Sequence, residues 1–356
     1  MRREAALIAG GGPAGSAAAI ALARGGARPL IVERQRETGD ALCGGFLSWH
    51  TLEALGRIGI AVEGHAIDRV RLFAGSHAAE ARLPARAIGV SRRRLDTAML
   101  GVAESLGARV ERGVTVREIE GMTLRTDDGD FEGEALFLAT GKHDVRGCAR
   151  PRSDGDATLG LRVKLGPHPA LAALIGSAIE LHLFDRGYAG LLMQEGGRAN
   201  LCLAVRKSRL LDAGGKPETL LAEIARGTPL GERLAFMDAA PAIDAIASVP
   251  YGWRATTTAP GVFRLGDQAA VIPSLAGEGI GIAIASGIAA AQACLHGTGA
   301  PEYQQAFAAR TRRPIAAARL IWALGERPFA ASAATRVASA LPSLARLLAR
   351  MTRIGD

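Results

Sequence analysis

The stretch Ala5–Ser16, reading Ala-Ala-Leu-Ile-Ala-Gly-Gly-Gly-Pro-Ala-Gly-Ser, narrows the possible folds of this chain more than any other. The apolar run from Ala5 to Ala9 reads as a buried parallel strand, and Gly10, Gly12 and Gly15 follow in G-x-G-x-x-G register before an alanine-rich helix. Gly10 permits a tight turn, Gly12 lets backbone approach a pyrophosphate, and Gly15 lets helix and strand pack closely. Free N–H groups and the helix dipole then hold the anion. A second strand, Pro29 to Val32, ends in Glu33, where the acid that takes a ribose belongs. Strand, glycines, helix and acid in this order predict a bound dinucleotide and leave open which one.

The chain of 356 residues suffices for one large or two interlocked domains with a substantial core. Only four of its 43 basic residues are lysines, so the net charge of +8 reads as arginine bias, and no basic-aromatic patch points to nucleic acid. Cys43, Cys148, Cys202 and Cys294 are far apart and lack histidines at ligand spacing, which argues against a metal site or a disulfide framework. The first apolar run leads straight into the glycine turn, so it is not read as a signal peptide, and no apolar span has membrane-crossing length. A cytoplasmic protein is expected, with peripheral membrane contact left open.

Beyond Glu33, Cys43-Gly44-Gly45 precedes a helical pattern through Leu52, Leu55 and Ile58, capped at Ser48 or Thr51. Residues 65–87 alternate as strands, Arg92-Arg93-Arg94-Leu95-Asp96 opens a helix, and the apolar run Ala135–Ala139 ends in Thr140-Gly141 at an edge where open α/β sheets bind ligands. Residues 150–254 read as alternating strands with a helix at 217–225, an antiparallel sheet with helices inserted into the nucleotide fold. A strand then ends in Gly266-Asp267, and Gly277-Glu278-Gly279-Ile280-Gly281 opens a second alanine-rich helix. An NAD site needs no such second element, whereas the long ribityl-isoalloxazine half of FAD does. The expected fold class is therefore α/β, a Rossmann-like FAD-binding domain (1–64, 88–149 and 255–300) with an inserted antiparallel-sheet substrate domain (65–87 and 150–254) and C-terminal helices (301–356). In the last segment Leu344, Leu347, Leu348 and Met351 share a face, predicting a helix that packs on the body or serves as an interfacial or dimer contact.

Together, Gly10 to Gly15 with Glu33, Ala139-Thr140-Gly141, and Gly266-Asp267 with Pro273 and Gly277-Glu278-Gly279 make the chain resemble the FAD-dependent oxidoreductases related to geranylgeranyl reductases and para-hydroxybenzoate hydroxylase. The resemblance spans about residues 5–295 and implies roles. Gly10, Gly12 and Gly15, with Pro13 and Ala14 at the helix start, would hold the pyrophosphate; Glu33 the ribose, beside Arg34; and the Val116 backbone the adenine. Arg92 would reach the phosphate or ribityl region and Asp267 the ribityl chain. Ala139, Thr140, Gly141, Gly266, Pro273, Gly277, Gly279 and Ile280 would line the flavin, with the N–H groups after Gly279 facing its pyrimidine.

Cys43-Gly44-Gly45 is similar to a segment beside the flavin in the reductase branch, which nominates Cys43 and Gly44. Gly187-Tyr188-Ala189-Gly190 resembles a segment that crosses the reductases' substrate cavity, where Gly190, Leu192 and Met193 replace Trp, Phe and Pro and imply a cavity of different shape. Tyr188 is the second catalytic candidate. Where the hydroxylases carry an Asp-Gly motif after the Ala-Thr-Gly strand, this chain reads Lys142-His143-Asp144-Val145-Arg146-Gly147, with Asp144 and Arg146 expected to share that work. No second nucleotide fold is evident, so NADPH or NADH would act as an external donor, unless a separate protein supplies the electrons. The resulting expectation is an FAD enzyme acting on a hydrophobic or aromatic small molecule, as monooxygenase or flavin dehydrogenase. A double-bond reductase, a non-catalytic flavin-fold binding protein and a plain NAD dehydrogenase are the alternatives, and membrane or carrier-protein contact and oligomeric state stay open.

Overall fold

The computed structural model describes residues 2–151, 155–238 and 241–355. It opens with a parallel βαβ unit, β1 (Arg2–Ala9), α1 (Pro13–Arg24) and β2 (Leu30–Glu33), in which Leu7, Ile8 and Ala9 pair with Leu30, Ile31 and Val32. Pro13 starts α1, where its missing N–H costs nothing. Next come β3 (Phe46–Leu47), α2 (Trp49–Arg57), the hairpin β4 (His65–Ala74) and β5 (His77–Gly89), α3 (Arg92–Ser105) and β6 (Arg109–Arg112). Ser48 and Ser91 begin α2 and α3 by accepting the N–H groups of Thr51 and Arg94. A meander of β7 (Val116–Glu120), β8 (Thr123–Thr126) and β9 (Gly129–Leu138) leads into the second half of the molecule.

That half contains β10 (Thr158–Leu165), α4 (Pro169–Ile175), β11 (Ala178–Phe184), β12 (Gly187–Met193) and β13 (Ala199–Arg206). Three helices, α5 (Lys207–Asp212), α6 (Pro217–Ala225) and α7 (Pro229–Leu234), precede β14 (Asp244–Val249). The chain then returns through β15 (Val262–Arg264) and α8 (Gly279–Leu295) and closes with α9 (Ala300–Gly325), α10 (Pro328–Ala340) and α11 (Pro342–Met351).

The first sheet is parallel in the order β6-β2-β1-β9-β15, with β8 and β7 folded back antiparallel on the first half of β9. Its two faces follow from alternation. Ile8, Phe137 and Phe263 pack with α1 and α8 on one side, while Leu7, Leu136 and Leu138 pack under the meander on the other. A Cβ at Gly287 of α8 would lie 2.3 Å from the Ala14 carbonyl, so α1 and α8 approach to backbone contact.

The second sheet has the order β14-β10-β13-β12-β11-β4-β5-β3. Its strands pair antiparallel, as expected, apart from β4 and β11, which run parallel. These two strands are joined only by a long excursion through the first sheet, which permits a parallel pairing that a hairpin forbids. One face, with Leu161, Leu191, Leu201 and Leu203, is covered by α4, α6 and α7. The opposite face looks back at the first sheet, and α10 and α11 pack along β5.

Candidate active site

A cavity of about 770 Å³ lies between the two sheets, within the range of small-molecule and cofactor sites. Its floor is the strand-to-helix turn after β1. Gly10 has φ of +107°, and a Cβ at Gly15 would fall 1.9 Å from the Gly10 carbonyl, so the turn admits no side chain there. Gly10, Gly12, Pro13 and Ala14 line the cavity, whereas Gly15 is buried behind them and serves the packing of α1 on β1. The start of α8 reaches the same space through Gly277, Gly279 and Ile280. Two helix N-termini, with their unpaired N–H groups and positive dipole ends, therefore converge on one cavity.

Charged groups are set around this floor. The Glu33 carboxylate accepts the Gly11 N–H at 2.7 Å and the Gln35 N–H at 2.9 Å, and it retains lone pairs toward the cavity. Arg92 forms a bidentate pair with Asp96 at 2.9 and 2.8 Å, and its guanidinium lies over Gly12. Burial opposes the Arg92 charge, but Asp96 outweighs burial and holds its pKa above the ordinary arginine value. Asp40 fixes the start of α3 by accepting the Arg92 N–H at 2.9 Å, while Arg162 and Lys164 hold its pKa low against the effect of burial.

Arg34 contacts the His143 ring at 2.8 Å, and the Thr140 hydroxyl donates to the His143 carbonyl, which shapes the loop after β9. Ala139, Thr140, Gly141, Val116, Gly266 and Asp267 all line the cavity; Pro273 does not, because it turns the chain behind Ser274. Of the two residues expected to replace the Asp-Gly motif, Asp144 is held by Arg150 at 2.7 Å, and Arg146 turns away to Glu118 at 3.6 Å.

Several observations bear on whether an FAD fits. A Cβ at Gly44 or Gly279 would meet nothing within 4 Å, and neither residue has a positive φ, so protein packing and backbone strain leave both unexplained. Both face the cavity, where the missing side chains leave room for a bulky planar group. The Asp267 carboxylate faces the same space and accepts no hydrogen bond from the described residues, although its backbone carbonyl accepts one from Arg150 at 3.1 Å. An open cradle, two helix N-termini, an arginine over a glycine turn and an unused carboxylate fit the flat ring, pyrophosphate and polyol of FAD.

The other wall comes from the second sheet. The Asn200 amide donates to the Cys43 and Gly44 carbonyls at 2.9 and 2.8 Å, and the Cys202 thiol donates to the Cys43 carbonyl at 3.1 Å. Burial pushes the Cys202 thiol up to about 12, so it stays protonated as a donor. The Cys43-Gly44-Gly45 turn is thus clamped from β13, with Gly45 at φ +74°. On β12, alternation sends Tyr188, Gly190 and Leu192 into the cavity, while Met193 packs into the opposite core. Met193 therefore does not line the substrate space.

Tyr188 and Tyr251 both donate to the Ser274 hydroxyl, at 2.7 and 2.6 Å, and Trp322 of α9 backs both rings. Burial holds both phenols above their ordinary pKa and hence protonated. Ser274 lines the cavity, and with two donors on its oxygen its own O–H is left for a partner there. Sequence reasoning missed Tyr251, Ser274, Asn200 and Cys202, which share no local motif. Only Asp96, four residues after Arg92 on a helix, carried a readable signal.

Residues 3–146 match the FAD binding domain family. The chain is an FAD-dependent oxidoreductase. This oxidoreductase is 29% identical to digeranylgeranylglycerophospholipid reductase 2 of Methanopyrus kandleri over 79% of its own chain and 74% of the relative. It is 27% identical to the menaquinone reductase of Mycolicibacterium smegmatis over 86% and 79%, respectively. Among solved structures it shares the fold of a geranylgeranyl bacteriochlorophyll reductase-like protein from Thermoplasma acidophilum, with a TM-score of 0.71, 19% identity and coverage of 100% of this chain and 94% of that one. It is also similar in fold to PqsL of P. aeruginosa in complex with 2-aminobenzoylacetate, with a TM-score of 0.72, 16% identity and coverage of 93% and 99%.

Proposed function

We propose that this oxidoreductase reduces a carbon–carbon double bond in an apolar substrate, of the isoprenoid or quinone kind that the two sequence relatives are named for. The observation that carries this reading is the protonated Tyr188–Ser274–Tyr251 group beside the apolar side chains of Ile179, Leu181, Leu192 and Leu275. Bound FAD supplies the two-electron chemistry and, once reduced, a hydride. What the chain must add is a proton, a dry environment and orientation. The Ser274 hydroxyl would give its proton to the substrate carbon and take one from either phenol, which regains its own from solvent between turnovers. Ile179, Leu181, Leu192 and Leu275 exclude water and hold the apolar chain.

At the cofactor end, Glu33 takes the ribose, the turn at Gly10 to Ala14 takes the pyrophosphate under Arg92, and Asp267 takes the ribityl hydroxyls. Cys43 lies at the edge of the flavin cradle, where its clamped turn shapes the approach of substrate. A nicotinamide donor would supply the reducing equivalents from outside. Hydroxylation of an aromatic substrate is the second reading, favoured by the fold shared with PqsL. Among the described residues, no helix is long and apolar enough to cross a membrane. The outer surface of α10 and α11 nonetheless exposes Phe329, Leu341, Leu347 and Met351 beside Arg336, Arg346 and Arg350, a composition suited to collecting substrate from an anionic lipid surface.

Anaerobic incubation with NADPH or NADH and a polyprenyl or naphthoquinone substrate tests the reading. Substrate reduction without oxygen is expected, with Tyr188→Phe/Tyr251→Phe slowing turnover about a hundredfold while FAD stays bound. Oxygen-dependent incorporation of an oxygen atom into product would instead establish the hydroxylase.

A further inference from the structure

The segment 352–354 that follows α11 runs back into the molecule and ends on the glycine turn at the start of α8. Arg353 is only 9% exposed. Its guanidinium donates to the Ala276 carbonyl at 2.6 Å, to the Gly277 carbonyl at 3.2 Å and to the Glu278 carboxylate, and it stacks over the Trp49 ring at 5.3 Å. Its Nε donates to the Ala349 carbonyl at 2.9 Å, and the Ile354 N–H reaches Glu278 at 3.4 Å. Glu278 is fully buried and also accepts the Ser48 hydroxyl at 3.1 Å, so one carboxylate joins α2, the start of α8 and the end of α11.

This arrangement exceeds what packing alone requires. The turn carries Gly277 at φ +65°, packed against the Phe46 ring, and Gly279, whose side-chain position is open toward the cavity. The bracing comes from behind, from a fork of donors that satisfies two otherwise orphaned carbonyls and one buried charge together. A lysine, with a single ammonium, cannot span all three acceptors in that plane.

We propose that Arg353 is a positioning residue of the FAD site, holding the turn Ala276–Gly279 so that the N–H groups opening α8 are presented to the flavin. The proposal rests on the assignment of the cavity to FAD and is tested with FAD itself. Wild type, Arg353→Ala, Arg353→Lys and the charge-balanced pair Arg353→Met/Glu278→Gln are stripped of cofactor and titrated with FAD. The melting temperature is read with and without FAD, and the flavin reduction potential is measured for each.

Arg353→Ala and the balanced pair are expected to bind FAD about tenfold more weakly, with a smaller FAD-induced rise in melting temperature and a shifted potential. Arg353→Lys falls between them and wild type, and it carries the comparison if Arg353→Ala does not fold. A lower apoprotein melting temperature with wild-type FAD affinity and potential in the variants would make Arg353 a structural tie only and overturn the proposal. Failure of the wild type to bind FAD would overturn the cofactor assignment itself, and Asp267→Ala, which leaves the Arg353 fork intact, separates the two cases by losing affinity without disturbing that fork.

Discussion

The two walls of the cavity are built on different principles. The wall proposed for the cofactor is made mostly from backbone: glycine turns, helix N-termini and a few charges. The opposite wall is made from side chains that converge from β12, β13, the segment after β14 and the turn before α8, with Trp322 of α9 behind them. A backbone wall tolerates almost no change of shape and specifies a cofactor. A side-chain wall can be recut one residue at a time, and it specifies the reaction. The outer side of the second sheet adds a third device, the buried Glu180 held by Arg233 at 3.1 Å and His182 at 3.2 Å, where charges rather than apolar groups fill the interior.

The sharpest way to break this comparison is Gly15→Val. With a Cβ 1.9 Å from the Gly10 carbonyl, α1 must leave β1, at a cost of about 3 kcal/mol or more. The expected outcome is loss of folded, FAD-binding protein by thermal denaturation and flavin absorbance; a folded variant with bound FAD would show that the backbone wall is not rigid.

The buried charge cluster comes next. Burial pushes the Glu180 carboxyl upward, but hydrogen bonds and charge from His182 and Arg233 prevail and hold it at about 2, below its ordinary value of 4.5. A depressed carboxylate stabilises the fold above its unfolded pKa and loses that contribution as pH falls through the folded one. Wild type should therefore lose stability between pH 4.5 and 2, on the order of 3 kcal/mol from this group. Glu180→Gln should be less stable at pH 7 and should lose less stability than wild type over the same interval in denaturant titrations. A parallel pH slope in both proteins would remove Glu180 as the source.

The smallest effect is expected at Gly190, where an added Cβ would lie 3.4 Å from the Tyr188 ring, an ordinary contact. Gly190→Leu should keep the melting temperature and FAD affinity of wild type and raise KM for a bulky substrate about tenfold, with shorter substrates spared. Equal KM for long and short substrates would mean that Gly190 does not bound the substrate space.

Much of the cofactor wall was legible in the sequence because its determinants are local. A glycine at φ +107°, an acid at the end of the next strand, and a Gly-Asp after a short strand each leave a mark within a few residues. The alternating strands within 150–254 and the helix at 217–225 were readable from periodicity for the same reason. The parallel pairing of β4 with β11 was not, since strand direction across a long connection is set by where both ends are anchored. Of the residues that stand in the reductase motif's positions, Met193 faces the opposite core from Leu192, because adjacent residues on a strand face opposite ways.

By itself the sequence determined the nucleotide fold, its cofactor class and most secondary structure, because backbone conformation at glycines and the period of apolar residues are written locally. Only the tertiary structure decided what stands opposite the flavin cradle. The Tyr188–Ser274–Tyr251 group, the Asn200 clamp on Cys43 and the Arg353 fork on Glu278 join residues far apart in the chain, and their hydrogen bonds exist only once two sheets and the last helix have closed around one cavity.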